Sequence, residues 1–262
     1  MLFLFSRQVT LAQDQFQKGT ITMIGCLLIH GFTGSPYEVE PVAAHFAGRG
    51  WRIEMPVLAG HDNPPASMRQ VTWQDWIKSA EIPLKDMLST CDKVYLIGFS
   101  MGGMIAAHLA VKYPVAKLVL LNASVFYINP QQLFKDVASL IKSNFTYAAE
   151  SRELFRRYLS KATATPPRSI IHFRHLIKVL KNDFSHITVP TLIIQGGQDN
   201  LVEPRSAQYI YDTIQSREKE LHILPESKHI ICHDRDQKRL LMLIDRFLTG
   251  KGEEKGESGH EN

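Results

Sequence analysis

The sequence predicts an α/β protein: a mostly parallel central β-sheet covered by helices on both faces. Two observations carry that expectation. Short apolar runs rich in branched residues recur along the chain, and amphipathic stretches separate them. A third bounds it: 262 residues with 44% apolar and 21% charged content can bury a core, which excludes disorder, collagen and coiled coil as descriptions of the whole. Folds that alternate strands and helices reach about 250 residues around one core, so a single core with an insertion is expected.

In chain order, the run Met23 to Ile29 reads as the first strand, and Tyr37 to Arg49 as a helix stopped by Gly50. Trp51 to Met55 is a weaker strand. Thr72 to Leu88 is helical, with Trp73, Trp76 and Ile77 on one face. Val94 to Gly98 is a strand feeding a helix from Met101 to Tyr113, which stops before Pro114. Lys117 to Leu121, Thr191 to Gln195 and Glu220 to Leu224 are further strands, and Gln237 to Leu248 is a closing helix that ends at Gly250. The stretch from Phe126 to about Asp183 breaks this rhythm. It holds no convincing strand, but Leu133, Val137, Leu140 and Ile141 share one helical face, as do Ile170, Phe173, Ile177 and Leu180. It reads as a helical insertion, placed where a lid would cover a site at the carboxyl ends of the strands. The expected organisation is therefore a core over 1–125 and 184–249, a helical cap over 126–183, and a disordered tail over 250–262, whose composition leaves no apolar side chain to bury.

Three cysteines, Cys26, Cys91 and Cys232, lack the spacing of a zinc site or a disulfide framework and are expected as reduced thiols in a cytoplasmic protein. No stretch approaches the ~18 uninterrupted apolar residues needed to cross a bilayer. The net charge of +4 is unevenly spread: Lys135 to Lys181 holds ten Lys or Arg against Asp136, Glu150 and Glu153. Those cations read either as solvated outer faces of helices or as a surface for transient contact with anionic lipid. No feature points to nucleic acid.

The segment Lys93-Val-Tyr-Leu-Ile-Gly98-Phe99-Ser100-Met101-Gly102-Gly103 is G-x-S-x-G between a strand and a helix. A serine there sits on a strained turn with its hydroxyl projecting from the sheet. The flanking glycines remove side chains that would clash, and the N–H of Met101 at the helix start can donate to a developing oxyanion. The segment lacks the Lys-Ser/Thr of a phosphate-binding loop. Upstream, Cys26-Leu-Leu-Ile-His30-Gly31-Phe32-Thr33-Gly34 ends a strand in a flexible loop that could supply the Phe32 N–H as a second donor, with His30 bracing the loop. A serine hydroxyl needs a histidine to take its proton, and that histidine needs a carboxylate. Asp199 follows one strand in Gly196-Gly197-Gln198-Asp199, and His229 follows the next in Pro225-Glu226-Ser227-Lys228-His229. Glu203 is the spare acid and His233 the spare base. Asn122, at another strand end, is an amide and cannot stabilise an imidazolium. His172 and His175 lie three apart on a helix with no third ligand at matching spacing, so a solvated face is expected there.

Together the His30–Gly34 loop, Gly60-His61-Asp62, the Gly98–Gly103 elbow, Gln198-Asp199 and His229 make the sequence resemble the α/β-hydrolase family, in particular small bacterial carboxylesterases and monoacylglycerol lipases, over residues 20–249. That resemblance implies a serine hydrolase without cofactor, acting on short- to medium-chain acyl esters beneath a small helical cap. One departure stands out: such relatives commonly carry Gly before the catalytic His, where this chain has Lys228. The expected triad is Ser100, Asp199 and His229, with Phe32 and Met101 supplying oxyanion N–H groups and a small-molecule acyl ester as partner. Thioesters and lysophospholipids pass through the same tetrahedral chemistry, and a ligand-binding protein could keep the same scaffold.

Overall fold

The computed structural model describes residues 22–62, 68–127 and 165–250. Six strands form one sheet in the order β2-β1-β3-β4-β5-β6, every neighbouring pair parallel: β1 is Ile24–Ile29, β2 Arg52–Glu54, β3 Lys93–Phe99, β4 Lys117–Leu121, β5 Thr191–Gly196 and β6 Lys219–Leu224. The six predicted strands are all present, with ends shifted by a residue or so except at the weak β2, which keeps only its centre. A parallel sheet buries both faces, and β1 shows how the sequence encodes this. Leu27 and Ile29 join one core cluster, while the intervening Cys26 and Leu28 join the cluster on the opposite face.

Helices α2 (Trp73–Thr90), α3 (Met101–Lys112), α4 (Pro167–Leu180) and α5 (Arg205–Thr213) contribute to the first cluster. Helices α1 (Glu40–Ala47) and α6 (Gln237–Thr249) cover the second. The predicted first helix begins as a 3-10 turn, Pro36–Val39, and Pro36, with no N–H to give, suits its first-turn position. At the start of α2 the Thr72 N–H donates to Asp75 Oδ2 at 2.8 Å, a capping box that fixes where the helix starts. Gly250 closes α6 in the left-handed conformation, φ 71°, as its position in the sequence predicts. Helix α3 is buried nearly all round, which is why its sequence shows little amphipathic patterning.

The sequence reading did not anticipate α5. Only Ser206, Ala207 and Ile210 of this helix are buried, too short an apolar stripe to stand out. Within the expected insertion, α4 matches the predicted face: Phe173, Ile177 and Leu180 are buried, joined by Leu176, and Ile170 is half-buried. Asp183 beyond α4 accepts a hydrogen bond from His108 Nδ1 of α3 at 2.8 Å. Arg168, Arg174 and Lys178 stand exposed on α4. The other expected face, Leu133 to Ile141, lies outside the described residues, as do the tail after Gly250 and the insertion's basic residues up to Lys161. Among the described residues no helix is long and apolar enough to cross a membrane.

The order of the strands decides where chemistry can occur. The chain leaves β1 to one side for β2, then crosses back to lay β3 on the other side of β1. Loops leaving the carboxyl ends of β1 and β3 therefore diverge and open a crevice between them. The His30–Gly34 loop and the Ser100 turn are those two loops.

Candidate active site

Ser100 has φ 54° and ψ −117°, a conformation that L-residues avoid, held between the end of β3 and the first turn of α3. The flanking glycines are required by close approach. A Cβ on Gly98 would lie 2.3 Å from the Gly102 carbonyl oxygen, and one on Gly102 would lie 2.1 Å from the Ile29 carbonyl oxygen. The turn is pinned from the sheet as well, since the Ser100 N–H donates to the Leu121 carbonyl at 2.9 Å. The sequence reading expects the hydroxyl to stand out at a turn. Ser100 is instead only 7% exposed, because Phe32, Tyr127, Phe173, Leu201 and Val202 wall the cleft in which it lies.

Asp199 and His229 leave β5 and β6 and meet Ser100 at the same edge of the sheet. His229 Nδ1 lies 2.8 Å from Asp199 Oδ2, and His229 Nε2 lies 3.1 Å from Ser100 Oγ. A carboxylate can only accept, so Nδ1 carries the hydrogen and Nε2 is left to accept from the serine hydroxyl. Asp199, 5% exposed, is itself held by three donors: the N–H groups of Leu201 and Val202 reach Oδ1 at 2.9 Å each, and Gln195 Nε2 reaches Oδ2 at 3.2 Å. Burial alone would depress the imidazolium of His229. The charge and hydrogen bond of Asp199, with the charge of Glu38, outweigh it and hold the His229 pKa above the ordinary histidine value.

The rivals sit elsewhere. Glu203 pairs with Arg205 at 2.5 Å, and His233 stacks on Tyr37 with its Nε2 2.7 Å from the Tyr37 carbonyl. His172 has its ring within 3.4 Å of Arg168 Nε on the outer part of α4. Lys228 is not among the described residues with positive φ, so the backbone before His229 makes no demand for glycine; its N–H donates to Asp234 Oδ2 at 2.6 Å. Burial pushes the Cys26 thiol up to about 12, which leaves it unreactive in the core.

Two residues that the sequence reading passed over organise the site. Asn122, rejected as an acid, donates to the His229 carbonyl at 2.7 Å and accepts the Gly196 N–H at 2.7 Å, thereby tying together the loops that carry His229 and Asp199. Glu38, at the start of the helical segment after the His30 loop, accepts the Gly31 N–H at 2.7 Å within the cleft lining. No local pattern marks either one: Asn122 acts through chain segments distant in sequence, and a glutamate seven residues after Gly31 belongs to no motif that would single it out. His30 matches its expected bracing role. The Leu58 N–H donates to its Nε2 at 3.1 Å, so Nδ1–H must face the Gly31 carbonyl, 2.9 Å away. Phe32 lines the cleft with its ring stacked on Phe173 at 4.7 Å, and the Met101 N–H belongs to the first turn of α3, which has no intrahelical acceptor to offer it.

Residues 25–236 match the family described as serine aminopeptidase, S33. The thermostable monoacylglycerol lipase of Bacillus sp. strain H-257 is 30% identical over 240 residues, covering 86% of this chain and 89% of that protein. The carboxylesterase of Bacillus subtilis strain 168 is 24% identical over 223 residues, covering 85% and 91%. A solved structure of a metagenome-derived lipolytic enzyme, from work on LipS and LipT, superposes with a TM-score of 0.72 at 27% identity, covering 88% of this chain and 95% of its own.

Proposed function

From the chain's membership of the serine aminopeptidase S33 family, within the α/β-hydrolases, we propose that it cleaves short- to medium-chain acyl esters, monoacylglycerol among them, through Ser100, His229 and Asp199. The observation that carries the reading is the unbroken hydrogen-bond chain from Ser100 Oγ through the imidazole of His229 to Asp199. Ester hydrolysis fits both curated relatives named above, whose names specify a monoacylglycerol lipase and a carboxylesterase.

In the proposed reaction Ser100 Oγ attacks the ester carbonyl as its proton passes to His229 Nε2. Asp199 stabilises the imidazolium so formed, and the carbonyl oxygen becomes an oxyanion held by the N–H groups of Phe32 and Met101. Collapse of this intermediate breaks the bond to the alcohol, which leaves with the proton from His229. Water, deprotonated by the same His229, then attacks the acyl-serine, and a second collapse returns the proton to Ser100 as the acid departs. Each oxyanion donor lowers such a barrier by about 2.7–4 kcal/mol, so the aim of these two N–H groups matters alongside the triad. The insertion over 126–183 acts as the cap in this reading, supported by the contribution of Phe173 and Tyr127 to the cleft.

Ser100→Ala tests the reading directly. Turnover of p-nitrophenyl butyrate should fall to background with the circular dichroism spectrum unchanged, and a fluorophosphonate should add one adduct to the wild type and none to the variant. Labelling or turnover that survives in Ser100→Ala would overturn the assignment. A panel of p-nitrophenyl esters, monoacylglycerols and acyl-CoA thioesters then ranks the substrate classes.

A further inference from the structure

Glu38 is a carboxylic acid only 2% exposed, lining the same cleft as Ser100 and His229 but with no part in proton transfer. Its Oε2 accepts the Gly31 N–H at 2.7 Å. The next peptide along is held too, since His30 Nδ1–H donates to the Gly31 carbonyl. These two bonds fix the peptide planes on either side of the Gly31 Cα, and with them both backbone dihedrals of the one residue type that would otherwise rotate most freely. The Gly31 carbonyl and the Phe32 N–H are opposite ends of a single trans peptide, so fixing the carbonyl aims the N–H. The loop is also tight against the nucleophile: a Cβ on Gly31 would lie 3.2 Å from Ser100 Cβ and 3.2 Å from Glu38 Oε2.

We propose that Glu38 is a positioning residue for acyl transfer, its carboxylate, in the cleft it shares with His229, locking the loop that presents the Phe32 N–H to the oxyanion. This rests on the triad reading above. The groups that face Glu38 are His229 and Cys232 from the connection between β6 and α6, and Gly31 and Gly34 from the β1 loop. Tyr37 and Glu40 flank it on its own segment, with His233 stacked on Tyr37 and Asp199 beyond His229. Gly34 makes room for the carboxylate: a Cβ there would lie 2.1–2.4 Å from its three carboxyl atoms.

Three variants separate positioning from packing. In Glu38→Ala, kcat on p-nitrophenyl butyrate should fall roughly ten- to a hundred-fold with KM nearly unchanged, short of the ~10²–10³-fold cost of deleting an oxyanion donor outright. Affinity for a trifluoromethyl ketone, whose hydrate-forming carbonyl mimics the tetrahedral adduct, should fall in parallel. Glu38→Gln keeps an acceptor for the Gly31 N–H and should recover most of kcat. With the negative charge gone, the acidic limb of its kcat/KM profile should move to lower pH. Gly34→Ala should displace the carboxylate and reproduce the Glu38→Ala loss, yet cost little more when added to Glu38→Ala, where the space is open. Wild-type kcat and ketone affinity in Glu38→Ala would overturn the inference. So would a Glu38→Gln variant as defective as Glu38→Ala with an unshifted limb, and if Glu38→Ala fails to fold, Glu38→Gln and Gly34→Ala decide. Turnover surviving in Ser100→Ala would defeat the triad reading itself, whereas an inactive Ser100→Ala beside a normal Glu38→Ala would defeat this inference alone.

Discussion

Asp199→Asn is the most discriminating single change at the site, because the structure dictates how the new amide must sit. Oδ1 of Asp199 receives two backbone N–H groups, from Leu201 and Val202, and Oδ2 faces His229 Nδ1 and Gln195 Nε2. An asparagine that put its NH2 toward Leu201 and Val202 would set donor against donor twice, at about 1–3 kcal/mol for each buried group left unsatisfied. Its carbonyl therefore keeps the backbone pair and its NH2 turns toward His229. There it donates to Nδ1, which moves the imidazole hydrogen to Nε2, the atom that must accept the Ser100 proton. The variant keeps its shape and loses its base. In the serine-protease triad the same exchange lowers kcat about 10⁴-fold, or about 5.4 kcal/mol of barrier, and that is the expected size here. The assay is steady-state hydrolysis of p-nitrophenyl butyrate by wild type and variant, with a thermal melt to check the fold; KM should stay within a few-fold. A folded Asp199→Asn enzyme that kept kcat within ten-fold of wild type would refute the tautomer argument and the role given to Asp199.

Three further outcomes follow from the same geometry. Because His229 must be neutral to accept a proton and its pKa is held above the ordinary value, the acidic limb of wild-type kcat/KM should lie above the usual histidine pKa of about 6.5, and activity should be lost as pH falls through it. His233→Ala should leave that limb in place; a limb that disappeared with His233 would transfer the base to the wrong residue. Phe173→Ala removes a ring stacked on Phe32 at 4.7 Å and packed near Tyr127 at 5.2 Å, so it should destabilise the fold by about 3–5 kcal/mol in urea denaturation and raise the preference for p-nitrophenyl octanoate over butyrate. An unchanged chain-length preference would remove Phe173 from the acyl side of the cleft.

How far the sequence could be read depended on how local each feature is. The nucleophile turn is legible because its constraint is steric and its residues span five positions: Gly98 and Gly102 are glycine since a Cβ at either would meet backbone, that of Gly102 itself for Gly98 and that of Ile29 on β1 for Gly102, and no other residue type satisfies that. The strands are legible because a parallel sheet buried on both faces demands unbroken apolar runs. Helix α5 escaped because its nine residues are mostly polar and bury only two apolar side chains, Ala207 and Ile210. The meeting of Asp199 and His229 with Ser100 could be inferred only through topology, as strand ends on one edge, and the distances of 2.8 and 3.1 Å come from the structure alone. Ser100's burial was hidden for the same reason: Phe173 and Tyr127, which help cover it, come from a segment whose path no local pattern specifies.

Asn122 shows why a site of this kind depends on more than the groups that move protons. It has φ 45°, an unfavourable backbone for most residues but one that asparagine tolerates. From there its side chain accepts the Gly196 N–H at the end of β5 and donates to the His229 carbonyl beyond β6. One amide thus couples the turn that leads to Asp199 with the loop that carries His229. Its own N–H donates to Ile194, so it is anchored to the sheet as well. An aspartate at this position could still accept from Gly196, but it would set a carboxylate oxygen against the His229 carbonyl and add a further negative charge close to the triad. The residue that looks like a failed acid in the sequence is therefore an amide for a reason, since only a side chain that both donates and accepts can join those two loops.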